Sequence, residues 1–151
     1  KLINENSLIE TYEVFKIYPS TINIKIVKTN FYAKINNEGK TFLIGSNGKL
    51  TLNKSDYSEL PYIFGKPNIN EFLKLKKIID KSKFSYKQIK DLYFFPSNRW
   101  DLRFKNDILL MLPNELTYEK LNYLYEFLEN YKGENFNMVD ARIENQIILN
   151  E

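Results

Sequence analysis

Two aspartates, Asp101 and Asp140, are the residues of this sequence from which a carboxylate-based active site could be built. Paired carboxylic acids can act as general acid, general base or nucleophile, so an enzyme without stronger bases would depend on such a pair. Each aspartate, however, alternates with apolar residues, in the segments 99–104 and 139–143. In a half-buried strand these positions face solvent. We therefore predict that both are surface residues and that the chain is not an enzyme.

The residue types that carry most other site chemistry are missing. The 151 residues include no histidine and no cysteine. Their absence removes the usual general base near neutral pH, the usual zinc ligands and any Ser-His or Cys-His nucleophile. We predict no catalytic residues, no metal site and no cofactor.

Basic residues are scattered rather than concentrated. Lysine and arginine outnumber aspartate and glutamate by only 22 to 19. The densest lysine cluster lies in a predicted helix, where a solvated polar face is expected; its members are Lys74, Lys76, Lys77, Lys81 and Lys83. The segment 45–49 reads G-x-x-G-K, but its spacing differs from that of a phosphate-binding loop, and we predict a turn. No nucleic-acid partner is predicted. A nucleic-acid- or glycan-binding surface module is kept as the alternative function, and a carboxylate-based enzyme ranks below it.

Alternating apolar residues and turn signals predict strands through much of the chain. Segments 11–17 and 21–28 form a predicted hairpin around Pro19, and segments 31–35 and 41–44 form a second pair. In segment 99–104, Trp100, Leu102 and Phe104 share one predicted face. Segment 108–112 is apolar throughout, which predicts a central strand buried on both faces.

Two amphipathic helices accompany these strands. The first begins after Asn68, an N-cap residue followed three positions later by Glu71. The second and longer helix begins after Asn114 or Thr117. Both carry an apolar stripe, which predicts that they cover a sheet.

The end of the chain predicts a closing strand. Three apolar residues alternate with three charged ones from Val139 to Glu144, in the same apolar-Asp-apolar-Arg order as segment 100–103. Such a strand has one packed face and one solvated face. If it lies at the edge of its sheet, its unpaired N–H and C=O groups can accept a strand from another protein.

Five motifs follow one another over nearly the whole chain. They are Tyr18-Pro19-Ser20-Thr21, Leu43-Ile44-Gly45-Ser46-Asn47-Gly48, Leu60-Pro61-Tyr62-Ile63-Phe64-Gly65, Arg99-Trp100-Asp101-Leu102 and Val139-Asp140-Ala141-Arg142. Their order resembles that of the FtsQ/DivIB family of bacterial cell-division proteins. The chain departs from the family's usual residues at the junction 28–33, which keeps only Ala33, at Gly45 in place of Asp, and at Ala141 in place of Leu.

The resemblance implies an α+β architecture, in which an incomplete POTRA hairpin is followed by a mostly antiparallel β-domain with two flanking helices. Residues 1–29 would be the remainder of a POTRA domain, and residues 30–151 the FtsQ-like β-domain. The rest of POTRA and a single-pass membrane anchor would precede Lys1. This arrangement would place the chain at the periplasmic face of the bacterial inner membrane.

The resemblance also implies a non-catalytic scaffold of the divisome, which binds FtsB/FtsL-like division proteins and helps to control septal cell-wall synthesis. It leaves open an FtsK-like recruiter that acts through POTRA. Partners would bind by strand addition at the C-terminal edge. The residues carried over to this role are Arg142, Ile143, Glu144, Asn145, Gln146, Ile147, Ile148 and Leu149. Arg142 and Tyr125, the latter on the neighbouring helix, are candidate side-chain anchors.

Overall fold

The computed structural model describes residues 6–131 and 135–150, which belong to two compact units. The units divide between Asp56 and Tyr57. The fold class is α+β, as predicted, with eleven strands and two α-helices in the described part of the chain. The predicted domain boundary between residues 29 and 30 lies inside the first unit.

The first unit begins with the predicted hairpin. Strands β1 (Ile9–Ile17) and β2 (Thr21–Lys28) pair antiparallel, and the Tyr18–Pro19 peptide between them is cis. The register places Val14 opposite Ile24, with Ile22 and Ile26 on the same face. These aliphatic side chains are about half exposed, so the described residues leave one apolar face of the hairpin uncovered.

Three more strands complete the first unit. They are β3 (Phe31–Asn37), β4 (Lys40–Gly45) and β5 (Leu50–Leu52), each antiparallel to the next. Glu38 and Gly39 form the turn between β3 and β4, and both have positive φ, as a two-residue hairpin turn requires. The predicted turn at 45–49 connects β4 to β5 and is closed by the N–H of Gly45, which donates to the carbonyl of Lys49.

The second unit combines six strands with two helices. In chain order they are β6 (Tyr62–Phe64), α1 (Ile69–Lys81), β7 (Ile89–Phe94), β8 (Trp100–Phe104), β9 (Leu109–Met111), α2 (Tyr118–Asn130), β10 (Met138–Asp140) and β11 (Ile148–Asn150). The spatial order of these strands is the same as their chain order. The pairs β6–β7 and β9–β10 are parallel, and each is connected through a helix, since parallel neighbours need a crossover.

Both helices begin where capping chemistry places them. The side chain of Asn68 accepts a hydrogen bond from the Asn70 N–H at the start of α1, as predicted for that residue. Thr117, one of the two predicted start positions, accepts from the Lys120 N–H at the start of α2. These bonds satisfy donors that the first helical turn leaves free.

One face of the second unit's sheet forms its core. Trp100, Leu102 and Phe104 share that face, as predicted, and all three are buried. Helix α1 contacts Trp100 through Phe72, whose ring centre is 6.5 Å away. Tyr125 of helix α2 contacts Phe84, which lies between α1 and β7. Phe84 in turn stacks on Phe104 of the same sheet face.

Two predictions about burial, one in β9 and one in α1, were wrong. In β9, Leu110 is fully buried but Leu109 and Met111 are only half-buried, so the strand is central without being covered on both faces. In the lysine cluster of α1, Lys76 is buried rather than solvated. Its ammonium pairs with Asp80 at 2.5 Å and lies 4.4 Å from the centre of the Tyr86 ring, contacts that offset its desolvation.

Candidate functional site

Strand β11 is the outer strand of the sheet in the second unit. It pairs antiparallel with β10, and in the described part of the chain it has no second strand beside it. The register places Leu149 opposite Val139, a fully buried core residue, and Ile148 opposite Asp140 on the other face. Ile148 is 38% exposed. The outer edge of β11 therefore combines an available backbone with a partly exposed aliphatic side chain.

The residues between β10 and β11 form a turn, so the predicted strand 139–143 is too long. Strand β10 ends at Asp140, whose Oδ1 accepts from the Arg142 N–H at 3.0 Å. The predicted alternation holds for Val139 and Ala141, which are buried, and fails at Ile143, which is 59% exposed. A side chain that bonds the backbone two residues on competes with the ladder and ends the strand.

The structure therefore divides the eight predicted partner-binding residues into three groups. Arg142 to Gln146 are exposed residues of the turn, in which the Gln146 N–H donates to the Ile143 carbonyl and Asn145 has positive φ. Ile147 leads out of the turn and is half-buried. Only Ile148 and Leu149 belong to β11, which ends at Asn150.

The turn is anchored by an ion pair. Arg142 donates to both oxygens of Asp140, with Nε 2.9 Å from Oδ1 and Nη2 2.6 Å from Oδ2. The hydrogen bond from Arg142 holds the pKa of Asp140 below its usual value. This two-point contact fixes both the guanidinium and the path of the chain into the turn.

Asp101 has the same residue type as Asp140 but a different environment, and the prediction of a surface position was wrong. Its side chain is 2% exposed and accepts from Arg99 at 3.2 and 3.3 Å and from the Leu112 N–H at 3.3 Å. The Arg99 guanidinium also lies 4.1 Å from the centre of the Phe95 ring. Burial raises the pKa of Asp101, and the hydrogen bonds from Arg99 oppose that rise.

The two ion pairs lie on one face of the sheet. Met111 of β9 is aligned with Asp101 of β8 on one side and with Asp140 of β10 on the other, so the two aspartates flank it. Each arginine also lowers the pKa of the other pair's aspartate. Each carboxylate is thus bound by the guanidinium of an arginine two residues away in the chain.

The repeated Asp-x-Arg order indicated the strand but not the pairing. Asp101 pairs with Arg99 and not with Arg103, which instead donates to the Asp107 carbonyl at 3.4 Å. Sequence reasoning therefore missed Arg99 as the partner of a buried charge. Its position two residues before Asp101, on the same strand face, was the available signal.

Tyr125, the second predicted anchor, packs into an aromatic cluster. Its ring meets Phe84 edge to face at 5.2 Å. Together with Phe104 and Phe136 it lines a cavity of about 420 Å³ in the second unit. In the described ranges, no group of three acidic side chains could hold a metal ion, and no helix is long and apolar enough to cross a bilayer.

This geometry defines the class of the protein: an α+β domain whose sheet ends in a short outer strand. The family model for the C-terminal part of the cell-division protein FtsQ/DivIB matches residues 26–142. The chain therefore belongs to the FtsQ/DivIB family of cell-division proteins, which confirms the resemblance seen in its motifs. The matched range ends at Arg142, so β11 lies beyond it.

A solved structure from Geobacillus stearothermophilus is also similar. It is the major extracytoplasmic domain of the trans isomer of the cell-division protein DivIB, with 11% identity and a TM-score of 0.49 over 72% of this chain and 99% of that one. No curated protein matches the sequence.

Proposed function

We propose that the protein is a non-catalytic scaffold of the bacterial divisome, which binds FtsB/FtsL-like partners by strand addition at β11 and helps to control septal cell-wall synthesis. Its membership of the FtsQ/DivIB family supports a role in division. The single observation that carries the partner site is the position of β11 as the outer strand. The proposal places the chain at the periplasmic face of the inner membrane, held by an anchor upstream of Lys1.

The length of β11 limits what backbone pairing can contribute. A three-residue strand offers few ladder bonds, each worth about 0.5–1.5 kcal/mol net, and ordering the incoming peptide offsets part of that gain. Backbone pairing alone would therefore give binding weaker than about 1 mM. A useful affinity must come from side chains next to the edge.

The register of β11 defines the side chains that a partner strand should carry. Alternate residues of an added strand lie beside Leu149 on the core face and beside Ile148 on the opposite face. Both are aliphatic, so we expect apolar partner residues at these positions. Arg142, 44% exposed in the adjoining turn and bound to Asp140, is the polar residue that the proposal adds to this contact.

The ion pairs support a role without catalysis. Asp101 and Asp140 are each bound by a neighbouring arginine, and Asp101 is also bound by a backbone N–H. We infer that neither carboxylate acts as a nucleophile or a general base, since each is already bound to a guanidinium. A hypothesis that the protein is an enzyme would depend on these two residues.

A lysine substitution at the edge tests strand addition. Ile148→Lys places a charge where the partner's apolar residue should pack, and charged residues on an edge strand disfavour pairing. We expect at least about a tenfold loss of affinity for an FtsB-like peptide, since the loss of a partly buried aliphatic contact is worth about 1.4 kcal/mol or more. Fluorescence anisotropy with a labelled peptide measures this change.

A matched control comes from the outer strand of the first unit. Leu52 in β5 is 40% exposed, close to the 38% of Ile148, so Leu52→Lys makes the same change on another outer strand. It should bind the peptide as the unmodified chain does. Wild-type affinity in Ile148→Lys, with an unchanged melting curve, would rule out strand addition at β11. Amide exchange gives a second readout, since an added strand should slow exchange within residues 148–150.

We also propose that residues 1–29 are the remainder of a POTRA domain and residues 30–151 the β-domain. The uncovered aliphatic face of the β1–β2 hairpin supports this division, because an apolar sheet face of that kind packs against further elements of a complete domain. In a chain extended upstream of Lys1, an Ile24→Asp substitution should lower the melting temperature. In the 151-residue chain the same substitution should have little effect, and an equally small effect in both chains would contradict the division.

A further inference from the structure

The turn between β4 and β5 is bonded to the base of the β1–β2 hairpin, within the first unit. The side-chain NH₂ of Asn47 donates to the carbonyls of Ser7 and Ile9, both at 3.1 Å, and to Oγ1 of Thr29 at 2.8 Å. Its Oδ1 accepts from the Lys49 N–H at 3.0 Å. One amide side chain thus connects its own turn to both ends of the hairpin.

Ser46 adds a second set of bonds beside Asn47. Its N–H donates to the Asn30 carbonyl at 2.8 Å, and its Oγ accepts from the Asn30 N–H at 3.1 Å. The same hydroxyl donates to Oε2 of Glu10 at 2.5 Å. Ser46 therefore bonds both to Asn30, in the link between β2 and β3, and to Glu10, in the first strand of the hairpin.

The turn also packs closely against the hairpin. Thr29 is buried, and a Cβ on Gly45 would lie 2.5 Å from its Cγ2 and 2.7 Å from Oδ1 of Asn47. Contacts this short are forbidden between such atoms, so only glycine allows the turn to approach the hairpin. The Thr29 N–H donates to the Leu8 carbonyl at 3.0 Å and closes the base of the hairpin.

We propose that Ser46 and Asn47 form a clasp that fixes the β1–β2 hairpin to strands β3–β5, so that these five strands form one rigid body. Only Thr29 and Asn30 connect β2 to β3. Without further bonds, a two-residue link would let the hairpin swing, and the clasp removes that freedom by bonding the link and both hairpin strands. The inference does not rest on the proposed partner site, which lies on β11.

Spin-label distances test the clasp directly. Because the chain has no cysteine, Lys16→Cys on β1 and Lys40→Cys on β4 give one labelled pair without background. We expect one narrow distance distribution for the labelled parent chain, and a distribution at least about twice as wide after Asn47→Ala. Asn53→Ala is the matched control, because the Asn53 side chain bonds only the nearby Ser55 N–H at 3.2 Å, and it should leave the distribution narrow.

Amide exchange distinguishes a released hairpin from an unfolded one. In Asn47→Ala, exchange at Thr29 and Ser46 should speed up by about tenfold or more, while amides paired within β1 and β2 keep their protection. If Asn47→Ala unfolds the hairpin, Ser46→Ala provides the milder release, with the same expected widening. A broad distribution in the parent chain, or equally narrow ones in the parent and both clasp variants, would overturn the proposal.

Discussion

Removing Arg99 should cost much more stability than removing Arg142, although both arginines pair with an aspartate on the same face. In the Arg99–Asp101 pair the side chains are 18% and 2% exposed, whereas in the Arg142–Asp140 pair they are 44% and 14% exposed. Arg99→Ala leaves a buried carboxylate without its ion-pair partner, which costs about 3 kcal/mol. Arg142→Ala breaks a more solvated pair, for which about 1 kcal/mol is expected.

The two variants should also differ in their pH dependence. Arg99 lowers the pKa of Asp101 against the effect of burial, so its removal raises that pKa further above the unfolded value. A raised acid pKa penalises folding at neutral pH, and the penalty disappears as the pH falls through the folded-state pKa. The deficit of Arg99→Ala should therefore shrink between neutral pH and about pH 4, the unfolded value.

The Arg142 deficit should persist over that range. The pKa of Asp140 lies below its usual value because of the hydrogen bond from Arg142, so this contribution is present above the unfolded pKa. It is lost only as the pH falls from about 4 through the lower folded-state pKa.

Urea unfolding at several pH values measures the free energies of unfolding of Arg99→Ala, of Arg142→Ala and of the control Arg103→Ala. Equal costs for Arg99→Ala and Arg142→Ala, or a deficit of Arg99→Ala that does not change with pH, would refute the reasoning from burial.

Three further substitutions, the last with a control on the exposed side of its helix, test the packing and capping of the second unit. Asn68→Ala removes the acceptor for the Asn70 N–H and should lower the free energy of unfolding, measured by urea unfolding, by about 1 kcal/mol. Gly65→Ala should cost more than about 1 kcal/mol, since Gly65 has φ of +100° and its new Cβ would meet the Phe94 carbonyl; an unchanged thermal midpoint would contradict this. Leu121→Ala should cost about 2–5 kcal/mol, whereas Tyr123→Ala, on the exposed side of α2, should cost less than about 0.5 kcal/mol, both measured by urea unfolding.

Local patterns predicted the elements of this fold well, because strand alternation, helix caps and turn residues act over a few neighbouring positions. The hairpin 11–17/21–28, the N-cap at Asn68 and the shared face of Trp100, Leu102 and Phe104 all follow from such rules. Burial was less predictable, since it depends on what lies over a face. Lys76 and Asp101 illustrate this, because their partners supply the cover that the pattern around each residue does not show.

The two Asp-x-Arg segments show why one pattern gives two structures. Asp101 is bound by Arg99 and by the Leu112 N–H of the neighbouring chain segment, and its strand continues to Phe104. Asp140 instead bonds the Arg142 N–H, which turns the chain away. Of these partners only the Leu112 N–H lies outside the neighbouring residues, eleven positions from Asp101, so five residues could not reveal it.

Local alternation could not predict that β11 lies at the outside of the sheet. Alternation predicted a closing strand but placed it at residues 139–143, whereas residues 148–150 form the outer strand. Strand order depends on which strands pair across the sheet, so the sequence pattern could not provide it.

The shortness of β11 also bears on the solubility of the protein at high concentration. Fibrils built from stacked strands need segments of about six or seven consecutive residues with strong strand propensity. The three residues of β11 follow an exposed turn that contains Arg142 and Glu144, so this edge cannot supply such a segment within regular structure. The regular part of this edge, residues 148–150, is therefore shorter than the segment that fibre growth requires.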